Sequence, residues 1–255
     1  MSKLNLVKKT SSILIASALL VTSAHTVAHS KHTGGIQSGT SDSVLSAFDI
    51  IHTKITTEGN TATFHIAVSD KAGSVKPTPT GKLAGSDVFS YVWPTTMNSG
   101  QIGFKDDAGI LAFAVTSHPD FDDTPLYDEN GDGDKANDGD VWHSHWVVLQ
   151  PNEQCGPGAL GVVDIPEGSK PKVPDTWPGL PLLIDSPDYT PNFDGNTLNV
   201  KVQFDDIDTV KLAKFDGVTS GLRVNASAHS PLLCIVDVFD VASGDLSLPG
   251  IVIPK

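Results

Sequence analysis

The sequence predicts an all-β fold: an antiparallel β-sandwich, with a β-barrel as the alternative, carrying long acidic and proline-rich loops. Three observations support this. Apolar runs of strand length, rich in Val, Ile, Phe and Thr, recur along the chain with Gly, Asn, Asp and Pro between them. No stretch longer than about a dozen residues keeps a helical period free of Gly or Pro. Glu58-Gly59-Asn60 lies between two such runs and is a strong hairpin signal. Parallel α/β architectures would lack their crossover helices here.

Taken in order, the predicted strands are Ser46–Thr57 and Thr61–Ser69, which flank that turn, then Asp87–Trp93, Ile110–Ser117, Val141–Gln150 and Leu160–Ile165. Thr197–Phe204, Val210–Phe215, Leu222–Ala228 and Leu232–Val241 follow. Thr197–Phe204 alternates cleanly, with Leu198, Val200, Val202 and Phe204 on one face and Asn199, Lys201 and Gln203 on the other. Two long connections interrupt the series. Pro119–Asp140 is dense in acid, and Pro166–Asn196 is dense in proline. In the second, Trp177, Leu180, Leu182, Leu183 and Ile184 favour an ordered flap packed on the sheet. The expected organisation is a leader over residues 1–28, a disordered stretch over 29–45 and a single β-sandwich domain over 46–255.

Thirty acidic residues against 17 basic ones give a formal charge of −13, and the only arginine is Arg223. A nucleic-acid binder needs a basic face to displace counterions, so nucleic acid is excluded as a partner class, whereas cations suit the chain. Lys3, Lys8 and Lys9 precede an apolar stretch, Ser12–Ala24, that is too short to span a bilayer. Small residues favour cleavage after Ala24 or Ala28, so the expectation is a secreted protein, periplasmic or extracellular, with no membrane span after processing. An oxidising compartment favours pairing of the two cysteines, Cys155 and Cys234. A buried thiol or a soft metal ligand is the alternative. Protein partners are not legible.

Asp128-Glu129-Asn130-Gly131-Asp132-Gly133-Asp134 places oxygen donors at alternate positions and glycine at the sixth. This resembles the calcium loop of EF-hand and dockerin-type proteins. The resemblance implies Ca2+ held by Asp128, Asn130, Asp132 and Asp134, since hard carboxylates suit a hard cation. The twelfth position, where the family carries a bidentate Glu, is Gly139; Asp138 and Asp140 flank it and can close the site. Neither flank reads as a helix, so the resemblance extends to the loop alone.

Directly after that loop comes Val141-Trp142-His143-Ser144-His145-Trp146-Val147-Val148-Leu149. Residues i and i+2 of a strand share a face, so His143 and His145 project together with Val147 and Leu149, opposite Trp142, Trp146 and Val148. Two imidazoles on one semi-buried face offer nitrogen to Zn2+ or Cu2+. His118 is the favoured third ligand, because it ends a strand and opens the acidic connection, with Asp120 as a nearby oxygen donor. His65 comes next but reads as a surface residue, and His52 and His229 cannot be ranked. A further copper-binding idea places His25, His29 or His32 at or near a processed amino terminus.

These features favour an exported metal-binding protein for storage, delivery or sensing. His143-Ser144-His145-Trp146 also resembles the His-x-His-Trp zinc strand of α-class carbonic anhydrases, which implies a zinc enzyme; the family's downstream Glu-x-x-x-His is missing. Thr61–Lys71 together with Met97 resembles DOMON-type domains, which implies haem or carbohydrate binding, with Met97 as an axial haem ligand. Haem is the least favoured cofactor.

Overall fold

Alternation along three central runs sets the architecture. In Asp87–Pro94, Ile110–Ser117 and His143–Pro151 nearly every residue is buried, on both faces. The large side chains Tyr91, Trp93, Phe113 and Trp146 take one face, while Ala112, Ala114, Val92 and Val147 take the other. Such strands need a covering layer on each side.

The structure, a computed structural model, describes residues 34–177, 184–227 and 231–255. The expected leader, the amino-terminal histidines, Leu180, Leu182, Leu183 and His229 lie outside these residues. The described strands are β1 (Ile36–Gln37), β2 (Ile50–Glu58), β3 (Thr61–Val68), β4 (Asp87–Pro94), β5 (Ile110–Ser117), β6 (His143–Pro151) and β7 (Leu160–Val162). They continue as β8 (Asn192–Asp194), β9 (Thr197–Gln203), β10 (Lys214–Phe215), β11 (Val218–Val224), β12 (Leu233–Val241), β13 (Gly250–Ile251) and β14 (Ile253–Pro254). The order β4-β5-β6-β7-β12-β11 closes into a barrel. A second sheet runs β1-β2-β3-β9-β8, with β14 joining β2 in parallel. The protein is therefore all-β, combining the sandwich and barrel alternatives.

An aromatic core joins the sheet to the barrel wall. Phe64 of β3 lies 4.8 Å from Phe113 and 5.6 Å from Trp93, centroid to centroid. Phe113 in turn lies 4.8 Å from Trp146. Buried aromatics of this size supply much of the apolar area that drives the two layers together. The barrel's inward residues form a separate apolar cluster.

The barrel has one weak seam: β7 and β12 pair through the single position Cys234–Gly161. The disulfide Cys155–Cys234 bridges this place, so a covalent bond supports the closure where backbone pairing is sparse. A disulfide fits a setting outside the cytoplasm. No helix among the described residues is long and apolar enough to cross a membrane.

Several elements differ from the sequence expectation. Ile36–Gln37, placed in a disordered lead-in, pairs antiparallel with Thr53 and His52 as a short edge strand. Val210–Phe215 is not one strand: Asp208–Lys211 forms a helical turn, and only Lys214–Phe215 pairs, with Ile251 and Gly250. Asp206 accepts from the Asp208 amide and from that point the chain turns inward on Val210, which local β-propensity could not reveal. His65 is buried rather than exposed, its Nδ1 lying 2.8 Å from Asn199 Oδ1 across the β3–β9 pairing. Met97, the candidate haem ligand, packs in the aromatic core.

Candidate metal centre

Strand register builds the site. β5 and β6 run antiparallel with Ala114 opposite His145 and Thr116 opposite His143. His118 stands two residues beyond Thr116, so the alternation of β5 turns it to the same inward face. Three imidazoles thus meet at one end of the barrel. After Pro119 the chain doubles back: the Phe121 ring stacks on the His118 ring at 4.1 Å, and the Phe121 carbonyl lies 2.8 Å from His118 Nδ1. That turn returns the Asp123 carboxylate into the cluster. The acidic connection locks the turn from outside, the Gly139 carbonyl accepting from the His118 amide at 2.6 Å. A Cβ on Gly139 would fall 1.8 Å from the Phe121 carbonyl oxygen, so only glycine permits this approach.

His118, Asp123, His143 and His145 are each no more than 2% exposed, and one ligand atom from each lies within 4.8 Å of every other. Asp123 Oδ1 is 3.1 Å from His118 Nε2 and 3.2 Å from His143 Nε2, and Asp123 Oδ2 is 3.6 Å from His145 Nε2. His118 Nε2 and His143 Nε2 are only 2.8 Å apart. Four ligands at about 2.1 Å from a tetrahedral cation would sit about 3.4 Å from one another. The four distances run from 2.8 to 3.6 Å, and the whole set of ligand atoms lies within 4.8 Å.

The protonation pattern points the same way. His118 Nδ1 faces the Phe121 carbonyl, and His143 Nδ1 faces the Val141 carbonyl at 2.6 Å. A carbonyl oxygen only accepts, so both Nδ1 atoms carry hydrogen and both neutral rings aim an Nε2 lone pair inward. Two lone pairs 2.8 Å apart repel unless a proton or a metal ion lies between them. His145 Nε2 is buried there with no hydrogen-bond partner, while its Nδ1 lies 3.3 Å from Ser186 Oγ. Backbone carbonyls that fix a ring's tautomer and orientation are the usual outer support of a metal-bound histidine.

Electrostatics follow from burial and neighbours. Burial raises the Asp123 carboxyl, but His145 and His118 outweigh it and hold the group well below the usual carboxylate range. Burial pushes the His145 imidazole down to about 3, against a partial pull upward from Asp123. For His143, burial also lowers the value, but its hydrogen bond and charge attraction to Asp123 win, and the net shift is upward. Glu129 approaches from the acidic loop with its carboxyl raised by burial, an effect that the Thr124 hydroxyl and His143 partly offset.

Of the residues singled out from sequence, the structure brings together His118, His143 and His145. Asp120 does not join them: its carboxylate accepts from the Thr80 and Gly81 amides at 2.9 and 2.6 Å, pinning a neighbouring loop. The carboxylate of the cluster is Asp123, which the sequence pattern does not single out. Its only signal was the spacing to His118, which lets a tight turn return the side chain. His52 and His65 lie near each other, 5.3 Å between ring centroids, but outside the cluster.

The acidic loop is organised differently. Asp128 accepts from the amides of Gly131, Asp132 and Gly133, Asn130 from that of Asp132, Asp132 from that of Asp134, and Asp134 from that of Ala136. These side chains cap the loop's own backbone, and among the described residues they form no close grouping of ligand atoms like that around Asp123. Asp138 is fully buried and accepts from the Glu129 amide, and Asp140 pairs with Lys76 at 3.4 Å.

No known family, curated protein or solved structure matches the chain. The functional reading therefore rests on the site itself.

Proposed function

We propose that this protein, exported to an oxidising compartment, holds a resident transition-metal ion, Zn2+ or Cu2+, between His118, Asp123, His143 and His145. One observation supports this above all: two imidazoles, each with its Nδ1 hydrogen committed to a carbonyl, face each other at 2.8 Å beside a buried carboxylate. Three neutral imidazoles and one carboxylate carry a charge of −1, which a divalent ion reverses to +1 inside an apolar surround. Borderline nitrogen donors suit Zn2+ and Cu2+ and do not suit Ca2+ or Mg2+.

Burial refines the expected role. A protein that hands metal directly to a partner presents its ligands at the surface, whereas these four are each no more than 2% exposed and three of them face the barrel interior. Resident metal is therefore favoured over cargo. The enzyme alternative draws on a separate observation: His118, Asp123 and His145 also line a cavity inside the barrel. When bound, the ion would supply a Lewis acid at that wall. The β5–β6 register would fix the imidazoles, and Asp123 would hold the charge balance.

The test is elemental analysis of untagged protein purified without chelator. Near one equivalent of zinc or copper is expected, falling below a tenth in His143→Ala/His145→Ala. Metal-free native protein that also fails to take up either ion would overturn the reading. For the acidic loop we propose Ca2+ as a separate ligand, supported by the oxygen spacing from Asp128 to Asp134 and by the buried, partnerless Oδ1 of Asp138.

A further inference from the structure

The inside of the barrel is hollow. Its inward positions on β4, β5 and β11 carry small side chains, among them Ser90, Ala114 and Ser220, while the aromatic residues of β4 and β5 face outward into the other core. In a barrel of this size, side chains of ordinary volume fill the interior. Here a cavity of about 510 Å3 remains, within the range of small-molecule sites. Its wall is overwhelmingly apolar, built from Val, Leu and Ile on all six strands. His145 and Leu149 both line it, four residues apart on β6, so it extends about 13 Å along the strand.

The two ends differ. Exposed Gly158 and Gly244 lie at one end, where the bulk of a side chain is missing and the chain meets solvent. At the other end the polar groups gather: His145, His118 and Asp123 of the metal cluster, with the Thr116 hydroxyl beside them. Thr116 Oγ1 is buried and has no hydrogen-bond partner, and His145 Nε2 is in the same condition. An empty apolar cavity needs no such groups, and a buried hydroxyl left unpaired is destabilising.

We propose that the barrel binds an elongated apolar molecule that ends in a carboxylate, with its hydrocarbon body along the barrel axis and its head against Thr116 and the metal centre. The choice of head rests on the metal reading. With the ion in place the floor is net positive and attracts a carboxylate, whereas without it a shared proton only offsets Asp123 and the floor has no net charge to attract one. The body needs only the apolar wall.

The experiment uses a fluorescent fatty acid as reporter, displaced by decanoate or by 1-decanol, on full-length protein whose metal content is measured in the same samples. Expected is saturable 1:1 reporter binding, displaced by decanoate with an affinity at least tenfold weaker after chelation, while the affinity for 1-decanol stays the same. Ala114→Phe and Val92→Phe, each filling the cavity, should abolish binding without changing metal content; two variants are used in case one does not fold. Metal-loaded protein with no saturable binding, or binding unchanged in a folded cavity-filling variant, would overturn the proposal. Decanoate affinity that ignores chelation would overturn the placement of the head. Protein that holds no metal but still binds 1-decanol in the cavity would remove the metal reading and leave the apolar site standing.

Discussion

Metal uptake at the barrel floor should expel a proton, and the geometry says how many. His118 and His143 each keep Nδ1–H on a carbonyl, and their Nε2 atoms lie 2.8 Å apart. Without metal, a single proton between the two nitrogens relieves the contact, in keeping with the raised value of the His143 imidazole. The nearby carboxylate stays ionised, and His145, held down to about 3, stays neutral. Binding of Zn2+ at about pH 5.5, below the ordinary imidazole value and so further below the raised value of His143, should therefore release about one proton, because metal ligands must be unprotonated. Titration calorimetry in two buffers of different ionisation enthalpy measures that number directly. Free Zn2+ at a hundred times its Kd should also stabilise the fold by about 2.7 kcal/mol. For a unit of this size that raises Tm by roughly 5–11 °C. Release of no proton, or of two or more, would refute the tautomer argument, and an unchanged Tm would refute a site present only in the folded state.

Other outcomes follow from the same contacts. Asp123→Asn keeps the shape and removes the charge; zinc affinity should fall at least a hundredfold, about 2.7 kcal/mol, in competition with a chromogenic chelator, and a change under threefold would show that the carboxylate is not a ligand. In metal-free protein, an unfolded His145 titrates near 6.5 but the folded one near 3, so its contribution to stability is present above about 6.5 and is lost as pH falls towards 3. His143, with its raised value, works the other way: its contribution is present below about 6.5 and is lost as pH rises through its folded value. Asp123 adds a further loss below about 3.9. Urea melts of His145→Gln between pH 7 and 4 should show a flatter acid limb than the parent, and an identical slope would contradict the assignment. Cys155→Ser/Cys234→Ser opens the barrel seam and removes a crosslink between positions 79 apart, worth about 4 kcal/mol, so Tm should drop by roughly 8–16 °C. Calcium should raise Tm in the parent but not in Asp132→Ala, and equal responses would rule the acidic loop out as its site.

Strand alternation made much of the fold legible, because period-2 patterning is a local property that packing preserves. β5 falls at the expected residues, and the flanks of the Glu58-Gly59-Asn60 turn pair as a hairpin. The two histidines of β6 were visible for the same reason, and His118 because it ends a recognisable strand. Asp123 was not visible. Its burial depends on a doubled-back turn held by ring stacking and by Gly139 from the far end of the acidic connection, and neither contact is local in sequence. Barrel closure was equally hidden, since the β4–β11 and β7–β12 pairings join distant segments. His65 misled because its partner, Asn199, comes from β9, whose polar face reads in isolation as a solvent face.

The two unusual features of the barrel have one physical origin. Strands β4, β5 and β6 turn their aromatic residues outward, where the second sheet covers them, and this outer core supplies the apolar burial that the interior forgoes. With stability drawn from outside, the inward positions are free to carry small residues and a cluster of polar ones, which in an ordinary barrel core would cost more than the fold could bear. The same register that places Trp146 against Phe64 and Phe113 places His145 one residue earlier on the opposite face, toward Asp123. A one-residue slip of β6 against β5 would bury the imidazoles among the aromatics and turn the tryptophans into the cavity. The aromatic core thus fixes the direction of the imidazoles in the candidate site. Phe113→Leu should therefore loosen zinc binding although it touches none of the four ligands, and zinc affinity that stays the same while the aromatic core measurably loses stability would break that link.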